Sequence, residues 1–347
     1  MLSGMHHMPF RSCVTRVRLI TAMLGSLLCA SLAACFAACG THPEPMGHIY
    51  HVYFLGGQSN MEGGGLISEA GDASAPPAGA LIFATPATDD TNPTPASTGW
   101  QPVTGGYGWG FHADANDNGA PALADRFGPE VTFAARLREL RPSERVAIIK
   151  YAKGGTGIDT IAGRDWGTWM PTDLDANAPS PNQHDHALTT IERALATSNT
   201  DIAGDGLPDT LVPAGIVWMQ GETDARHEHA APAYADNLAM LIERLRASLS
   251  SDISSDPSGA ELPVVIGLIT DSARLAGRDP VRAFGETVEQ QQRAFVESDA
   301  NAALMDRTLA YAYSDDLHYD TAGYLEMGRD FAEAMHDLRP AQQRTKD

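Results

Sequence analysis

Five short apolar runs along the chain have the length and composition of buried β-strands. They cover residues 49–55, 146–151, 215–219, 264–269 and 302–305. Between and after them, apolar residues recur at the spacing of amphipathic helices. The predicted helices cover residues 130–140, 186–196, 234–249, 281–296 and 321–338. This alternation predicts a three-layer α/β/α fold in which helices cover both faces of a five-stranded parallel sheet.

The segment 56–129, between the first predicted strand and the first predicted helix, is too long for a simple crossover. It is rich in Gly, Pro, Asp, Asn and Ala, and long connections of this kind are commonly functional. A cluster of ring-bearing residues within it favours an ordered loop that walls a site: Trp100, Tyr107, Trp109, Phe111 and His112. Ligands of open parallel sheets bind beyond the carboxyl ends of the strands, so we expect functional residues directly after the strand runs.

Residues 1–40 differ in composition from the rest of the chain. They contain three arginines, no acidic residue and an apolar run that is shorter than the roughly 20 residues needed to span a bilayer. This layout is typical of a removable export signal. The residues ending at Cys35 resemble a bacterial lipobox, with Cys39 as a second candidate and an ordinary cleaved signal as the alternative.

These features predict a leader over 1–40 with lipidation at Cys35, followed by one domain over 41–347. The expected location is that of an exported bacterial lipoprotein at the outer membrane or cell surface, which contacts the membrane only through its lipid anchor. All four cysteines lie in the leader, so the domain has no thiol nucleophile, disulfide or cysteine-ligated metal.

The chain is strongly acidic. It carries 44 acidic and 24 basic residues, for a net charge of −20 at pH 7. Such a balance argues against nucleic acid as a partner, because binding to the phosphate backbone depends on lysine and arginine.

A glycine-rich segment, GGQSNMEGGG over 56–65, follows the first predicted strand and places Ser59 in a strand-to-helix turn. Glycines allow tight backbone geometry there, so that a serine hydroxyl is exposed and its amide faces a developing oxyanion. A phosphate-binding loop or a plain turn is the alternative, but the segment has neither GxGxxG spacing nor a Walker lysine.

Three more polar segments follow later strands or precede the last helix. They are AKGGTGID over 152–159, WMQGETDA over 218–225 and SDDLHYD over 314–320. The last one supplies His318 with nearby aspartates, and a nucleophilic serine needs a base whose tautomer is held by a carboxylate.

In this order, the segments resemble the sialate O-acetylesterase and acetylxylan esterase group, carbohydrate esterase family six of the SGNH hydrolases. GQSNM resembles the nucleophile block, GGT the second block, QGE the third and D-x-x-H the last. The segment 127–130, Phe-Gly-Pro-Glu, also resembles a recurring part of these proteins. The resemblance covers nearly the whole domain and implies the flavodoxin-like SGNH-hydrolase fold, without a cofactor or a metal.

The resemblance implies a Ser-His-Asp triad. Ser59 matches the nucleophile, His318 the general base and Asp315 the acid that orients it. Asp316 is nearer to the histidine in sequence, but the family spacing favours Asp315.

The resemblance also implies an oxyanion hole made of the Ser59 amide, a glycine amide of the second block and the Gln220 side chain. For the glycine, Gly155 is preferred to Gly154. Glu222 is interpreted as a group that braces the nucleophile loop, with orientation of His318 as the alternative.

Two tryptophans, Trp166 and Trp169, lie on a Gly-rich loop after the second block. They are candidates for stacking on a sugar ring, and packing against the core explains them equally well.

Other polar clusters receive plain structural interpretations. The acidic segment 201–209 suits calcium in composition but not in spacing, and we interpret it as a solvated turn. The H-x-H pairs, His184 with His186 and His227 with His229, are interpreted as surface or loop histidines and not as metal ligands.

The function implied by the resemblance is hydrolysis of O-acetyl esters on carbohydrate by a serine esterase, through an acetyl-enzyme. The expected partner is an acetylated carbohydrate such as xylan or sialic acid, while the particular sugar and the oligomeric state stay open. An SGNH lipase or thioesterase of broader specificity would share every catalytic residue. A non-catalytic carbohydrate-binding lipoprotein would need neither Ser59 nor His318.

Overall fold

The structure is a computed structural model that describes residues 46–113, 121–250 and 262–338. The predictions about the leader, including Cys35, lie outside the described residues. From Gly47 onwards the described residues belong to one compact unit.

The described residues form eleven strands and eight α-helices. The strands are β1 (Ile49–Gly57), β2 (Gly65–Leu66), β3 (Ala80–Ala84), β4 (Gln101–Pro102), β5 (His112–Ala113), β6 (Pro121–Ala122), β7 (Arg126–Phe127), β8 (Arg145–Ala152), β9 (Thr210–Met219), β10 (Val264–Gly267) and β11 (Ala302–Met305). The helices are α1 (Ser59–Glu62), α2 (Ile67–Ala70), α3 (Glu130–Leu140), α4 (Gln183–Leu195), α5 (Tyr234–Ser250), α6 (Ser272–Leu275), α7 (Gly285–Ser298) and α8 (Thr321–Leu338). Short 3₁₀ turns cover Gly71–Ser74, Asp224–Arg226, Ala231–Ala233 and Arg307–Ala310.

The central sheet has seven strands in the order β11-β10-β9-β1-β8-β3-β4. The five predicted strands are contiguous and parallel, from β11 to β8. The prediction of five strands was wrong in number, because β3 pairs in parallel with β8 and β4 pairs antiparallel with β3. The sequence of β3, ALIFA, is a short apolar run inside a segment otherwise rich in turn residues, and it is buried only through its pairing with the distant β8.

Two groups of helices complete the three layers. Helix α3 packs on α8, while α5 packs on both α4 and α7. Each of these helices buries a periodic apolar face, as the sequence pattern predicts. Helix α4 begins three residues before its predicted start, because Asn182 and Asp185 form a capping box that satisfies its first turn. None of the described helices is long and apolar enough to cross a membrane.

The chain changes direction across the sheet at β1. This strand lies between β8 and β9, so the crossovers that follow it run first to one side and then to the other. The crevice at the carboxyl end of such a strand is where open α/β sheets bind ligands. Ser59 follows β1 directly and therefore lies at this position.

Candidate active site

The nucleophile turn is built on the close approach of β1 and β9. Gly57 has a φ of +145°, and a β-carbon at this position would lie 2.0 Å from the carbonyl oxygen of Met219. The next residue, Gln58, donates its backbone N–H to the same oxygen at 2.9 Å. Only glycine fits this crossing, and Ser59 consequently begins α1 in a largely buried position.

Asn60, beside Ser59, is fixed by hydrogen bonds from three separate parts of the chain. Its Nδ2 donates to Glu222 Oε1 at 2.8 Å and, more weakly, to the carbonyl oxygen of Leu317 at 3.4 Å. The hydroxyl of Tyr324 donates to its Oδ1 at 3.0 Å. Glu222 therefore contacts the nucleophile turn through Asn60.

His318 and Asp315 form a hydrogen-bonded pair. The distance from His318 Nδ1 to Asp315 Oδ2 is 2.8 Å, and Asp315 Oδ1 accepts the backbone N–H groups of Leu317 and His318. Burial alone would raise the pKa of Asp315, but these hydrogen bonds outweigh burial and lower it. Asp316 instead lies 3.3 Å from Arg278, so Asp315 is the carboxylate that holds the imidazole.

Trp109 connects the serine and histidine segments. Its indole N–H donates to the carbonyl oxygen of Ser59 at 3.2 Å, and its ring meets that of His318 edge-on with centroids 4.5 Å apart. The aromatic part of the long connection thus lies against both candidate catalytic residues.

The second glycine block lies beside the nucleophile. A β-carbon on Gly154 would be 3.2 Å from that of Ser59. The N–H of Gly154 is already taken by Glu62 Oε2 at 2.7 Å. The amide of Gly155, a residue with a φ of +78°, has no acceptor among the described residues. Of the two glycines, Gly155 is therefore the one with an available N–H.

The side-chain amide of Gln220 makes different hydrogen bonds from the one expected. Its side chain is fully buried, and Nε2 lies within hydrogen-bond distance of Asp224, Thr156 and Gln58, at 2.7, 3.0 and 3.3 Å. An amide nitrogen has only two hydrogens, and both are committed to internal acceptors. The expectation that Gln220 donates to an oxyanion is corrected on this ground.

Asp224 is a site residue to which the sequence reasoning assigned no role. Its carboxylate accepts N–H groups from Ile158, Asp159 and Gln220, and so joins the second block to the third. Complete burial raises its pKa to about 6, against the lowering effect of these hydrogen bonds. The one sequence feature that could have identified Asp224 as a site residue is its position within the WMQGETDA segment.

The two candidate tryptophans have different environments. Trp169 is completely buried, donates to Thr156 Oγ1 and packs edge-on against Trp218, so of its two interpretations packing against the core applies and sugar stacking does not. Trp166 is 63% exposed and covers Gly155, whose added β-carbon would lie 2.8 Å from the indole. Of the pair, only Trp166 offers a face to solvent.

The other polar clusters show no metal geometry. Among the described residues, no group of three or more potential ligand side chains could hold a metal ion. The carboxylates of Asp201 and Asp209 accept backbone N–H groups of their own loop. His184 and His186 are buried on α4, which corrects their interpretation as surface or loop residues.

The sheet order, the serine turn after β1 and the Asp–His pair before α8 define an α/β protein with a candidate hydrolase site. The carbohydrate esterase family described as sialic acid-specific acetylesterase (SASA) matches residues 49–337. The chain belongs to this family and is a carboxylic ester hydrolase.

Solved structures share its fold at low sequence identity. A protein of Arabidopsis thaliana has a TM-score of 0.52 and 18% identity, with 83% of this chain and 98% of that chain covered. NanS has a TM-score of 0.53 and 15% identity, with 85% and 98% covered. A carbohydrate acetylesterase from Xanthomonas citri has a TM-score of 0.53 and 20% identity, with 83% of this chain and only 56% of that protein covered. A search of curated protein sequences gave no match.

Proposed function

We propose that the protein hydrolyses O-acetyl esters on carbohydrate with Ser59 as nucleophile, His318 as general base and Asp315 as the orienting acid. The observation that carries the proposal is the Asp315–His318 pair, at 2.8 Å, packed against the tryptophan that hydrogen-bonds the Ser59 carbonyl. Membership in a carbohydrate esterase family supports an ester on a sugar as the substrate.

The reaction takes place in two acyl transfers. Ser59 Oγ attacks the acetyl carbonyl while His318 Nε2 takes the hydroxyl proton, and the same nitrogen then protonates the departing sugar oxygen. Water, deprotonated by His318, attacks the acetyl-serine and releases acetate. Asp315 holds Nδ1–H throughout, which keeps Nε2 free for the proton and stabilises the imidazolium that forms.

The tetrahedral oxyanion would be held by the backbone N–H groups of Ser59 and Gly155. Removal of one such donor typically costs about 3 to 4 kcal/mol of transition-state stabilisation. Gln220 serves as a positioning residue in this scheme, because it joins Gln58 of the nucleophile turn to Asp224 and Thr156.

The test is release of acetate from acetylated xylan and from O-acetyl sialic acid, with a simple aryl acetate as a reference substrate. Ser59→Ala should abolish release from every substrate that the wild-type protein hydrolyses, while circular dichroism shows an intact fold. A folded wild-type protein that hydrolyses none of the three would refute the proposal. Rates that rise with acyl chain length would instead identify a lipase or thioesterase.

We further propose that the protein is exported and lipidated at Cys35. The composition of residues 1–40 supports this assignment. In a bacterial host, labelled fatty acid should be incorporated into the wild-type precursor and not into Cys35→Ser. Equal labelling of Cys35→Ser would contradict the choice of this cysteine.

A further inference from the structure

The segment that presents the proposed Gly155 donor consists of two consecutive glycines, Gly154 and Gly155. Glycine has the widest range of backbone conformations of any residue, so these two residues alone do not fix the direction of the N–H group between them. An oxyanion donor stabilises the transition state most when its direction is already fixed before the reaction. Contacts from outside the segment are therefore needed to hold this peptide group.

Glu62 and Thr223 hold the backbone groups on either side of the donor. On one side, the N–H of Gly154 donates to Glu62 Oε2 at 2.7 Å. On the other side, the hydroxyl of Thr223 donates to the carbonyl oxygen of Gly155 at 2.9 Å. The N–H of Gly155 lies between these two fixed groups. The two hydrogen bonds therefore restrict rotation on both sides of the peptide that carries the donor.

Both side chains belong to the elements that hold the other proposed donor, the amide of Ser59. Glu62 ends α1, the short helix that begins at Ser59, and its carbonyl oxygen accepts a hydrogen bond from Lys150 Nζ at 2.9 Å. Thr223 is buried, and its backbone N–H lies 3.3 Å from Oε1 of Gln58, the residue before Ser59. The two hydrogen bonds to the glycine pair therefore fix the two proposed oxyanion donors relative to each other.

We propose that Glu62 and Thr223 are positioning residues that fix the direction of the Gly155 N–H towards the oxyanion. The inference rests on the proposed esterase function and concerns the same site. Both acyl transfers pass through a tetrahedral oxyanion, so loss of either hydrogen bond should lower kcat for an aryl acetate and leave KM nearly unchanged.

The first test removes the hydroxyl of Thr223. Thr223→Val keeps the shape of the side chain, and kcat should fall by about tenfold, which is less than the roughly 10²- to 10³-fold loss typical when an oxyanion donor is removed. Thr223→Ser restores a hydroxyl and should recover most of the lost kcat. Thr308→Val is the matched control, because the buried Thr308 hydroxyl donates to the carbonyl oxygen of Leu268 at 2.8 Å, in the turn after β11. Its kcat should stay within about twofold of the wild type.

The second test separates the hydrogen bond of Glu62 from its charge. Burial raises the pKa of the Glu62 carboxyl, and an accepting oxygen is present whether this group is ionised or protonated. Glu62→Gln keeps an acceptor oxygen on a side chain of the same length, so kcat should stay within about threefold of the wild type. Glu62→Met has a similar length and no oxygen, and kcat should fall by about tenfold.

A boronic acid gives a readout that a merely structural role would not change. In the adduct with phenylboronic acid, Ser59 Oγ bonds to boron, its proton passes to His318, and the tetrahedral boronate carries the negative charge of the oxyanion. The inhibition constant should rise in Thr223→Val and Glu62→Met by about the factor by which kcat falls. Side chains that only support the fold would lower the free energy of unfolding and leave both values unchanged in the folded variant.

The outcomes separate this inference from the proposed function. The inference is overturned if Thr223→Val loses no more kcat than Thr308→Val, if Glu62→Met is as active as the wild type, or if the Ser and Gln variants are as impaired as Val and Met. Alanine at either position replaces a Val or Met variant that does not fold. These results would leave the esterase proposal in place, whereas a folded wild-type protein that hydrolyses no aryl acetate would remove both.

Discussion

The assignment of Asp315, and not Glu222, as the acid of the triad leads to a quantitative prediction. Both carboxylates lie near the serine and histidine segments, but they contact different groups. Asp315 accepts the imidazole N–H of His318 at 2.8 Å, whereas Glu222 accepts the Asn60 side-chain amide at 2.8 Å. The two amide variants, Asp315→Asn and Glu222→Gln, therefore remove charge from different parts of the reaction.

The expected losses differ by at least an order of magnitude. A hydrogen bond to a charged group contributes about 1.5 to 3 kcal/mol and a neutral one about 0.5 to 1.5, so Glu222→Gln should cost about 1 kcal/mol, or roughly fivefold in kcat. Asp315→Asn removes the charge that stabilises the imidazolium and allows the wrong tautomer. Loss of this group in serine proteases costs about 10⁴-fold. Because Asp315 is 52% exposed, water compensates in part, and we expect a loss on the order of a hundredfold or more.

The assay is steady-state hydrolysis of an aryl acetate from pH 5 to 9, with unfolding curves for each variant. The pKa of Asp315 is lowered, so this carboxylate stays ionised through the whole range and should not produce the acid limb of the wild-type profile. A larger loss in Glu222→Gln than in Asp315→Asn would refute the reasoning and make Glu222 the residue that orients His318.

Three further predictions concern stability. Trp169→Ala should lower the free energy of unfolding in urea by about 3 to 5 kcal/mol, because the ring is completely buried. Trp166→Ala should change it by no more than about 0.5 kcal/mol, because that ring is exposed. Similar losses in the two variants would contradict the different packing of the two rings. Gly57→Ala should cost more than about 2 kcal/mol, since its φ is +145° and the new carbon would clash with the Met219 carbonyl, and a variant as stable as the wild type would contradict this backbone crossing. Asp224 has a pKa of about 6 in the folded state, above its ordinary value of 3.8, so the folded protein binds the extra proton between these values. The stabilising contribution of this proton is therefore complete below about pH 4 and is lost as the pH rises through about 6. Over that window the free energy of unfolding of the wild type, relative to that of Asp224→Asn, should fall by up to about 3 kcal/mol. A difference that rises with pH would contradict the direction of this pKa shift.

The elements of the fold that could be predicted are those with a clear local pattern. The long amphipathic helices begin and end close to where their periodicity indicates, and all five apolar runs are strands. Strand β3 was not predicted, because its five-residue apolar run lies inside a long segment rich in turn residues and pairs with β8, which is distant in sequence. A similar limit applies to Trp166 and Trp169, because they share one loop and the sequence does not show which of them packs against Trp218.

Within the site, the choice of Asp315 over Asp316 depended on the family resemblance, because residue types alone left both aspartates open. Residue types and spacing were not sufficient for Gln220, whose amide is directed by partners on three other segments. Asp224 takes one of its hydrogens and the Tyr234 hydroxyl occupies its oxygen, and neither contact follows from the order of residues in the motif. Hydrogen-bond partners brought together by tertiary structure decide which amides remain available to a substrate.

The most direct test of the central claim is to trap the acyl-enzyme. The wild-type protein would be mixed with an aryl acetate, quenched in acid within the first turnover, digested and examined by mass spectrometry. We predict one acetyl group on Ser59, formed in the wild type and absent from Ser59→Ala, with its formation greatly slowed in His318→Ala. An acetyl group on a different residue, or turnover without an acetylated intermediate, would contradict the account.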